Sequence, residues 1–242
     1  MRDYQKELEK RVTFIKKALK EAHADGIVFG NSGGKDSALV GILCKKACDN
    51  VLGIMMPCQS KRNFEEDMAD GRAVAEQFQI ETVAMDLTAV KEEMIKALGT
   101  LTDISPMASA NIAPRLRMTA LYAVAQTRNS LVAGTGNASE RYMGYFTKWG
   151  DGACDFNPIA DLTVTEVFEF LRFLNAPVSI IEKAPSAGLF EGQTDEKEMG
   201  VTYREIDTFM EEGTGSYTSV EKIKAAHARS EHKRVMPKLY EE

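Results

Sequence analysis

The sequence predicts an α/β fold, a doubly wound and mostly parallel sheet with helices on both faces. Two observations carry that expectation. Short apolar runs alternate with helical patterns of ten or more residues, the order that builds parallel sheets through right-handed crossovers. Two of those runs, Ile27-Val28-Phe29 and Leu131-Val132-Ala133, lead into glycine-rich turns at 30–37 and 134–140. In a doubly wound sheet, ligands sit beyond the strand C-termini, where such turns lie. With 242 residues, 44% hydrophobic and 27% charged, the chain has the composition for one sizeable core, and a single domain over 1–242 is the simplest fit.

Taken in order, residues 2–24 place Val12, Ile15 and Leu19 among many charges, a surface helix with one buried face, ended by Asp25-Gly26. The first strand, Ile27 to Phe29, follows. A helical pattern with Leu39, Ile42 and Leu43 runs from 38 to 48. Val51 to Met56 is the second strand, closed by Pro57, which completes a strand-helix-strand unit. Residues 63–78 read as a helix, with Asn63 as N-cap and acidic Glu65, Glu66 and Asp67 in its first turn. A strand at 80–85, a helix at 88–98, a long helix at 112–127 and the strand Leu131 to Ala133 continue the alternation. The run 144–162 has little secondary-structure pattern and mixes aromatic, cationic and acidic residues, which is more typical of a functional segment than of a packed one.

Composition narrows the function classes. No apolar stretch reaches membrane-spanning length, and the charged N-terminus (Arg2, Asp3, Lys6, Glu7) has no apolar signal region after it, so a cytoplasmic location is expected. A net charge of −6 argues against broad nucleic-acid binding. Cys44, Cys48, Cys58 and Cys154 include no Cys-x-x-Cys pair. Cys44 and Cys48, four apart on one helix, read as buried thiols in a reducing compartment rather than as a metal pair.

The string Gly30-Asn31-Ser32-Gly33-Gly34-Lys35-Asp36-Ser37 lies between a strand and a helix. That order suits a phosphate cradle. The glycines permit close backbone approach, the helix start turns its positive dipole end outward, Ser32 and Ser37 offer hydroxyls, and Lys35 offers a point charge. Only three residues separate Gly30 from Gly34, and Asp36 follows the lysine, so this is not a Walker A loop. It resembles instead the SGGxDS loop of the ATP pyrophosphatase class, whose members cleave ATP between the α and β phosphates and activate a substrate as its adenylate. Asp36 then fits a Mg²⁺ ligand, and Glu140 in the second turn is either a second carboxylate for that ion or a helix cap. In the helix that follows 111, Arg115 and Arg117 are two apart and cannot share one face, so one can meet an anion while the other faces elsewhere.

Together with SGGKDS, the strings NIAPRLRM, GTGNASE, GYFTKWGDGACDFNPIADL and PSAGLFEGQTDEKEMG resemble the NAD synthetases, in the family's order and over nearly the whole chain. That resemblance implies an adenine nucleotide alpha hydrolase-like fold and NAD formation from deamido-NAD, ATP and a nitrogen donor. It also implies a homodimer with the dinucleotide site at the subunit interface. By position, Gly30, Asn31, Ser32, Gly33, Gly34, Lys35, Asp36 and Ser37 would bind ATP with Thr135 and Ser186. Asp36 and Glu140 would hold Mg²⁺. Arg115, Lys148, Asp155, His232 and Lys233 would belong to the deamido-NAD site, and 187–200 matches a loop that closes over substrates, although glycine-rich surface loops often have no such role. One position departs from the pattern. Where relatives read Leu-x-Lys-Thr-Glu-Val, with a lysine thought to touch ATP phosphates, this chain has Val164 in Leu162-Thr163-Val164-Thr165-Glu166-Val167. Either Lys35 or Lys183 substitutes, or ATP binds more weakly.

The residue types suit that chemistry. A carboxylate must attack the α-phosphorus of an anion, so Mg²⁺, Lys35 and the loop N–H groups are needed to neutralise charge, and Lys35 is the candidate catalytic cation. Ammonia then attacks the adenylate. Asp155 either holds ammonium and takes its proton or is a structural aspartate. Glutamine-using relatives carry a further glutaminase domain, and with about 25 residues before its first strand this chain is expected to use free ammonia. Two other classes compete with this reading: another adenylating enzyme with the same loop, and a catalytically silent nucleotide-binding protein.

Overall fold

The computed structural model describes residues 2–59, 63–183 and 194–240. Four parallel strands, β1 (Gly26–Gly30), β2 (Val51–Met55), β3 (Glu81–Ala84) and β4 (Ser130–Ala133), form one sheet in the order β3-β2-β1-β4. Ile27 pairs with Val51 on one side and Leu131 on the other. The chain therefore winds outward from β1 through β2 to β3, then returns to place β4 beside β1. That reversal is the topological switch point of a doubly wound sheet.

The strands' two-residue period distributes the core. Ile27, Phe29 and Val51 point to one face, where they meet α1 (Tyr4–Ala22), α2 (Lys35–Ala47) and α3 (Met68–Phe78). The later helices α8 (Val164–Phe173) and α9 (Val178–Glu182) join this layer through Phe170, Leu171 and Ile180. Val28, Leu52, Ile54 and Val132 point to the other face, against Leu87, at the start of α4 (Thr88–Leu98), and α6 (Ile112–Thr127). Each fully buried Ile, Leu or Phe contributes about 1.5–3 kcal/mol, so this two-sided burial is what fixes the strand register. A third cluster joins α7 (Ala138–Met143) and α8 to α11 (Tyr203–Glu212) and α12 (Tyr217–Arg229) through Met143, Val164, Ile206 and Ile223. Two short helices complete the set: α5 (Pro106–Ala110) before α6, and α10 (Asp195–Met199) before α11.

Three expectations are adjusted. The second helix begins at Lys35 rather than near 38, so the glycine turn runs straight into a helical first turn. The segment 63–78 opens with a π-helical turn, Asn63–Asp67, before α3 proper. The C-terminal part, for which the sequence reading proposed little, is helical from Val164 to Arg229 wherever it is described, apart from turns. Among the described residues, no helix is long and apolar enough to cross a membrane.

Candidate active site

β1 and β4 are neighbours, so the two glycine-rich turns leave the sheet side by side. The first turn is held by its own side chains. Ser37 Oγ lies 3.0 Å from Ser32 Oγ, accepts from Ser32 N–H and donates to the Gly34 carbonyl. Buried Asn31 donates to the Gly71 carbonyl of α3 and accepts from Gly33 N–H, while its own N–H reaches the Ile54 carbonyl of β2. Asn31 is thus a strut under the loop. Gly33 has φ +69°, and a Cβ there would lie 2.0 Å from the Asp67 carbonyl oxygen. Backbone conformation and space both demand glycine at this position.

The second turn is organised by Asn137. Its Oδ1 accepts from Glu140 N–H, and Glu140 Oε2 accepts from Asn137 N–H, a capping box at the start of α7. Its Nδ2 donates to Asp36 Oδ1 at 3.0 Å. The two carboxylates expected to share a cation are therefore bridged by one residue, Asn137, whose side-chain amide donates to Asp36 and whose backbone N–H donates to Glu140. Glu140 is a cap as well as a candidate ligand, and the cap uses only Oε2. Burial, and after it the nearby Asp36 charge, push Glu140 well above the usual carboxylate range, because two anions share a poorly solvated site.

Lys35, 6% exposed, places its ammonium 2.7 Å from Asp36 Oδ2, over the ring of Tyr203 at 5.4 Å and that of Phe168 at 6.0 Å. Burial alone would lower its pKa, yet Asp36, Glu140 and Asp195 outweigh that and hold it above the ordinary lysine value. Asp195 is buried and accepts from the Tyr203 hydroxyl. Lys183 is committed differently: its ammonium donates to Asp67 Oδ1, Asp70 Oδ2 and the Gly33 carbonyl, which fastens the phosphate loop to the start of α3. Val164 is buried against Met143, Tyr203 and Ile206. Of the two lysines considered as substitutes for the missing cation, Lys35 is the one over Tyr203 and Phe168, which pack in the same cluster as Val164.

These groups line a cavity of about 590 Å³ beyond the strand ends. Gly30, Asn31, Ser32, Gly34, Lys35, Asp36, Ser37, Thr135 and Glu140 line it, and Gly33 supports the turn from behind. Lys233 lines it too, donating to the Gly144 and Phe146 carbonyls, and burial lowers its pKa. The remaining predicted residues lie elsewhere. Arg115 reaches the Lys148 carbonyl, and Lys148 reaches the His232 carbonyl, so the three form a chain along an outer rim. Asp155 does not line the cavity. Its carboxylate accepts from Val132 N–H at 2.7 Å and from the Tyr122 hydroxyl, satisfying the open edge of β4. That geometry favours the structural one of its two readings. Ser186 and residues 187–193 of the 187–200 loop lie outside the described residues, and 195–199 form α10.

Arg117, absent from the predicted set, enters the cavity in place of Arg115. Its Nε donates to the Met56 carbonyl, and burial lowers its pKa. Periodicity separated the two arginines, but only the packing of α6 on β1 and β4, which brings it to the Met56 carbonyl just past β2, selects which one turns inward. Another cavity of about 650 Å³ lies behind α7, where the terminal nitrogens of Arg11 and Arg234 are paired with protein acceptors and Arg11 Nε is buried without one.

The NAD synthase family profile matches residues 7–237. The chain is 46% identical over 240 residues to the NH(3)-dependent NAD(+) synthetase of Carboxydothermus hydrogenoformans, with 98% of each covered. Among solved structures, the NMN synthetase of Francisella tularensis matches with a TM-score of 0.93 at 37% identity, covering 99% of both chains. The NH3-dependent NAD synthetase of Campylobacter jejuni matches at 0.82 and 31% identity, with both chains fully covered. With a phosphate loop and a carboxylate pair at the switch point of its sheet and relatives matched end to end, the chain belongs to the NAD synthase family.

Proposed function

We propose that the chain is an ammonia-dependent NAD synthetase, which joins ammonia to the nicotinate carboxyl of deamido-NAD at the expense of ATP. The observation that carries this reading is the convergence of the SGGKDS loop, Lys35 and the bridged Asp36–Glu140 pair in one cavity, in a chain of this family. A carboxylate oxygen attacks the α-phosphorus, the bond to the β-phosphate oxygen breaks, and pyrophosphate leaves. Ammonia then attacks the acyl carbon of the adenylate, AMP departs, and one proton is released.

The chain's own groups serve the charge problem of the first step. The N–H groups at the start of α2 and the Ser32 and Ser37 hydroxyls cradle phosphate oxygens, and the Lys35 ammonium neutralises charge as pyrophosphate departs. Preorganised donors of this kind are each worth about 10²–10³ in rate. Asp36 and Glu140 offer hard oxygen donors, and no described cluster of three or more His, Cys, Asp or Glu forms a closed metal cage. That set fits Mg²⁺, which takes one or two carboxylates and completes its shell with phosphate oxygens and water. When bound, the ion supplies electrostatic stabilisation of the triphosphate.

The rim formed by Arg115, Lys148 and His232 is exposed in the single chain. We assign it to the dinucleotide and infer that a second copy completes the site, giving a homodimer, with cytoplasmic location following from the substrates. A second reading concerns the acceptor. The Francisella tularensis protein, similar in shape over 99% of both chains, is an NMN synthetase, and nicotinate mononucleotide presents the same carboxyl without the adenylyl half. Parallel assays with deamido-NAD and nicotinate mononucleotide separate the two. A higher kcat/KM for deamido-NAD supports NAD synthesis, and the reverse order selects the mononucleotide.

A further inference from the structure

We infer that Lys35 is a built-in counter-ion that competes with the divalent cation for Asp36 and is handed to the phosphates when the cation binds. This rests on the proposed metal role of Asp36 and goes beyond it. Each oxygen of Asp36 accepts a hydrogen bond: Oδ1 from Asn137 Nδ2, and Oδ2 from the Lys35 ammonium. Each oxygen keeps a second lone pair, so the neutral Asn137 amide can stay, but a divalent cation on Asp36 repels the Lys35 ammonium 2.7 Å from Oδ2. Asn137 is neutral and is held in place by its reciprocal bonds with Glu140 through other atoms, Oδ1 and its backbone N–H. Lys35 is the partner that can move.

The ammonium is also incompletely used. It has three protons, and among the described residues Asp36 supplies its one hydrogen-bond acceptor, the rest of its surroundings being the faces of Tyr203 and Phe168. Lys183, by contrast, spends its three protons on Gly33, Asp67 and Asp70. A buried lysine with unspent donors at the end of a phosphate loop suits an anion with several oxygens, such as a di- or triphosphate. In the resting chain its charge instead offsets part of the acidic set Asp36, Glu140 and Asp195. Two consequences follow. The nucleotide-free protein binds divalent cations weakly, and the cation and the polyphosphate load together.

The test measures Mn²⁺ binding to nucleotide-free protein, from the paramagnetic signal of the free ion, for wild type, Lys35→Met and Lys35→Met with Asp36→Asn added. Pyrophosphate binding is measured in chelator by calorimetry. Lys35→Met is expected to bind Mn²⁺ at least ~10-fold more tightly than wild type and pyrophosphate at least ~10-fold more weakly. Mn²⁺ binding by Lys35→Met that is equal to or weaker than that of wild type, or not measurable, overturns the counter-ion role. If adding Asp36→Asn to Lys35→Met leaves tight Mn²⁺ binding unchanged, the metal reading itself falls. Circular dichroism checks the fold, and Lys35→Gln replaces the methionine variant if that one does not fold.

Discussion

Asn137 donates from Nδ2 to Asp36 Oδ1 across the switch point of the sheet, at 3.0 Å. One side chain thereby sets the spacing between the loop after β1 and the loop after β4, because its Oδ1 also caps the helix that carries Glu140. Asn137→Ala removes the cap and the bridge together. The expected result is a loss of about 1–2 kcal/mol in stability, the usual range for a lost N-cap, with a weaker response to Mg²⁺. Thermal unfolding and an activity titration in Mg²⁺ check both.

Gly33 and Gly34 are adjacent but should respond differently to alanine. At Gly33, left-handed backbone costs an L-residue about 1–2 kcal/mol, and the added Cβ would also collide with the Asp67 carbonyl. At Gly34, φ is −98° and the nearest contact of a Cβ is the Ser32 hydroxyl at 3.3 Å. Gly33→Ala is expected to abolish ATP binding in a folded protein, whereas Gly34→Ala retains binding within about tenfold. Calorimetric titration with ATP distinguishes them.

Glu140 makes metal-free stability depend on pH with a defined sign. Its folded pKa lies well above 4.5, so between that value and the raised one the folded chain holds a proton that the unfolded chain has lost. Stability therefore falls as pH rises through this window. In chelator, the melting temperature of the wild type should drop from about pH 5 to about pH 7 relative to that of Glu140→Gln, which lacks the titration. Mg²⁺ should shrink the difference, since it binds the ionised form.

Asp155 holds the edge of β4 through Val132 N–H, a bond that an asparagine oxygen can still accept. Asp155→Asn is expected to cost about 1 kcal/mol, the difference between a charged and a neutral acceptor. Its KM for ammonia should stay within about twofold of wild type. A tenfold rise in that KM, with normal pyrophosphate release, would return Asp155 to ammonium binding.

Much of this arrangement was readable from local pattern. The helix expected at 88–98 and the long helix at 112–127 were found with those bounds, and all four strands were placed to within a residue, because strands covered by helices read as short apolar runs between helical patterns. The capping boxes Thr163–Glu166 and Thr202–Glu205 announce α8 and α11 in the sequence and went unread. What no local pattern contains is partner choice across the sheet. Lys183 finds Asp67 across 116 residues, and Arg117 rather than Arg115 turns inward because the Met56 carbonyl waits there. The carboxyl of Asp155 meets a strand edge that exists only once β4 is paired.

The central claim is tested most directly by incubating the purified protein with Mg²⁺-ATP, deamido-NAD and ammonium chloride, with glutamine in a parallel reaction, and quantifying NAD, AMP and pyrophosphate together. The account predicts NAD from ammonium alone, matched one to one by AMP and pyrophosphate. Intact ATP and no NAD, with either donor, would contradict it.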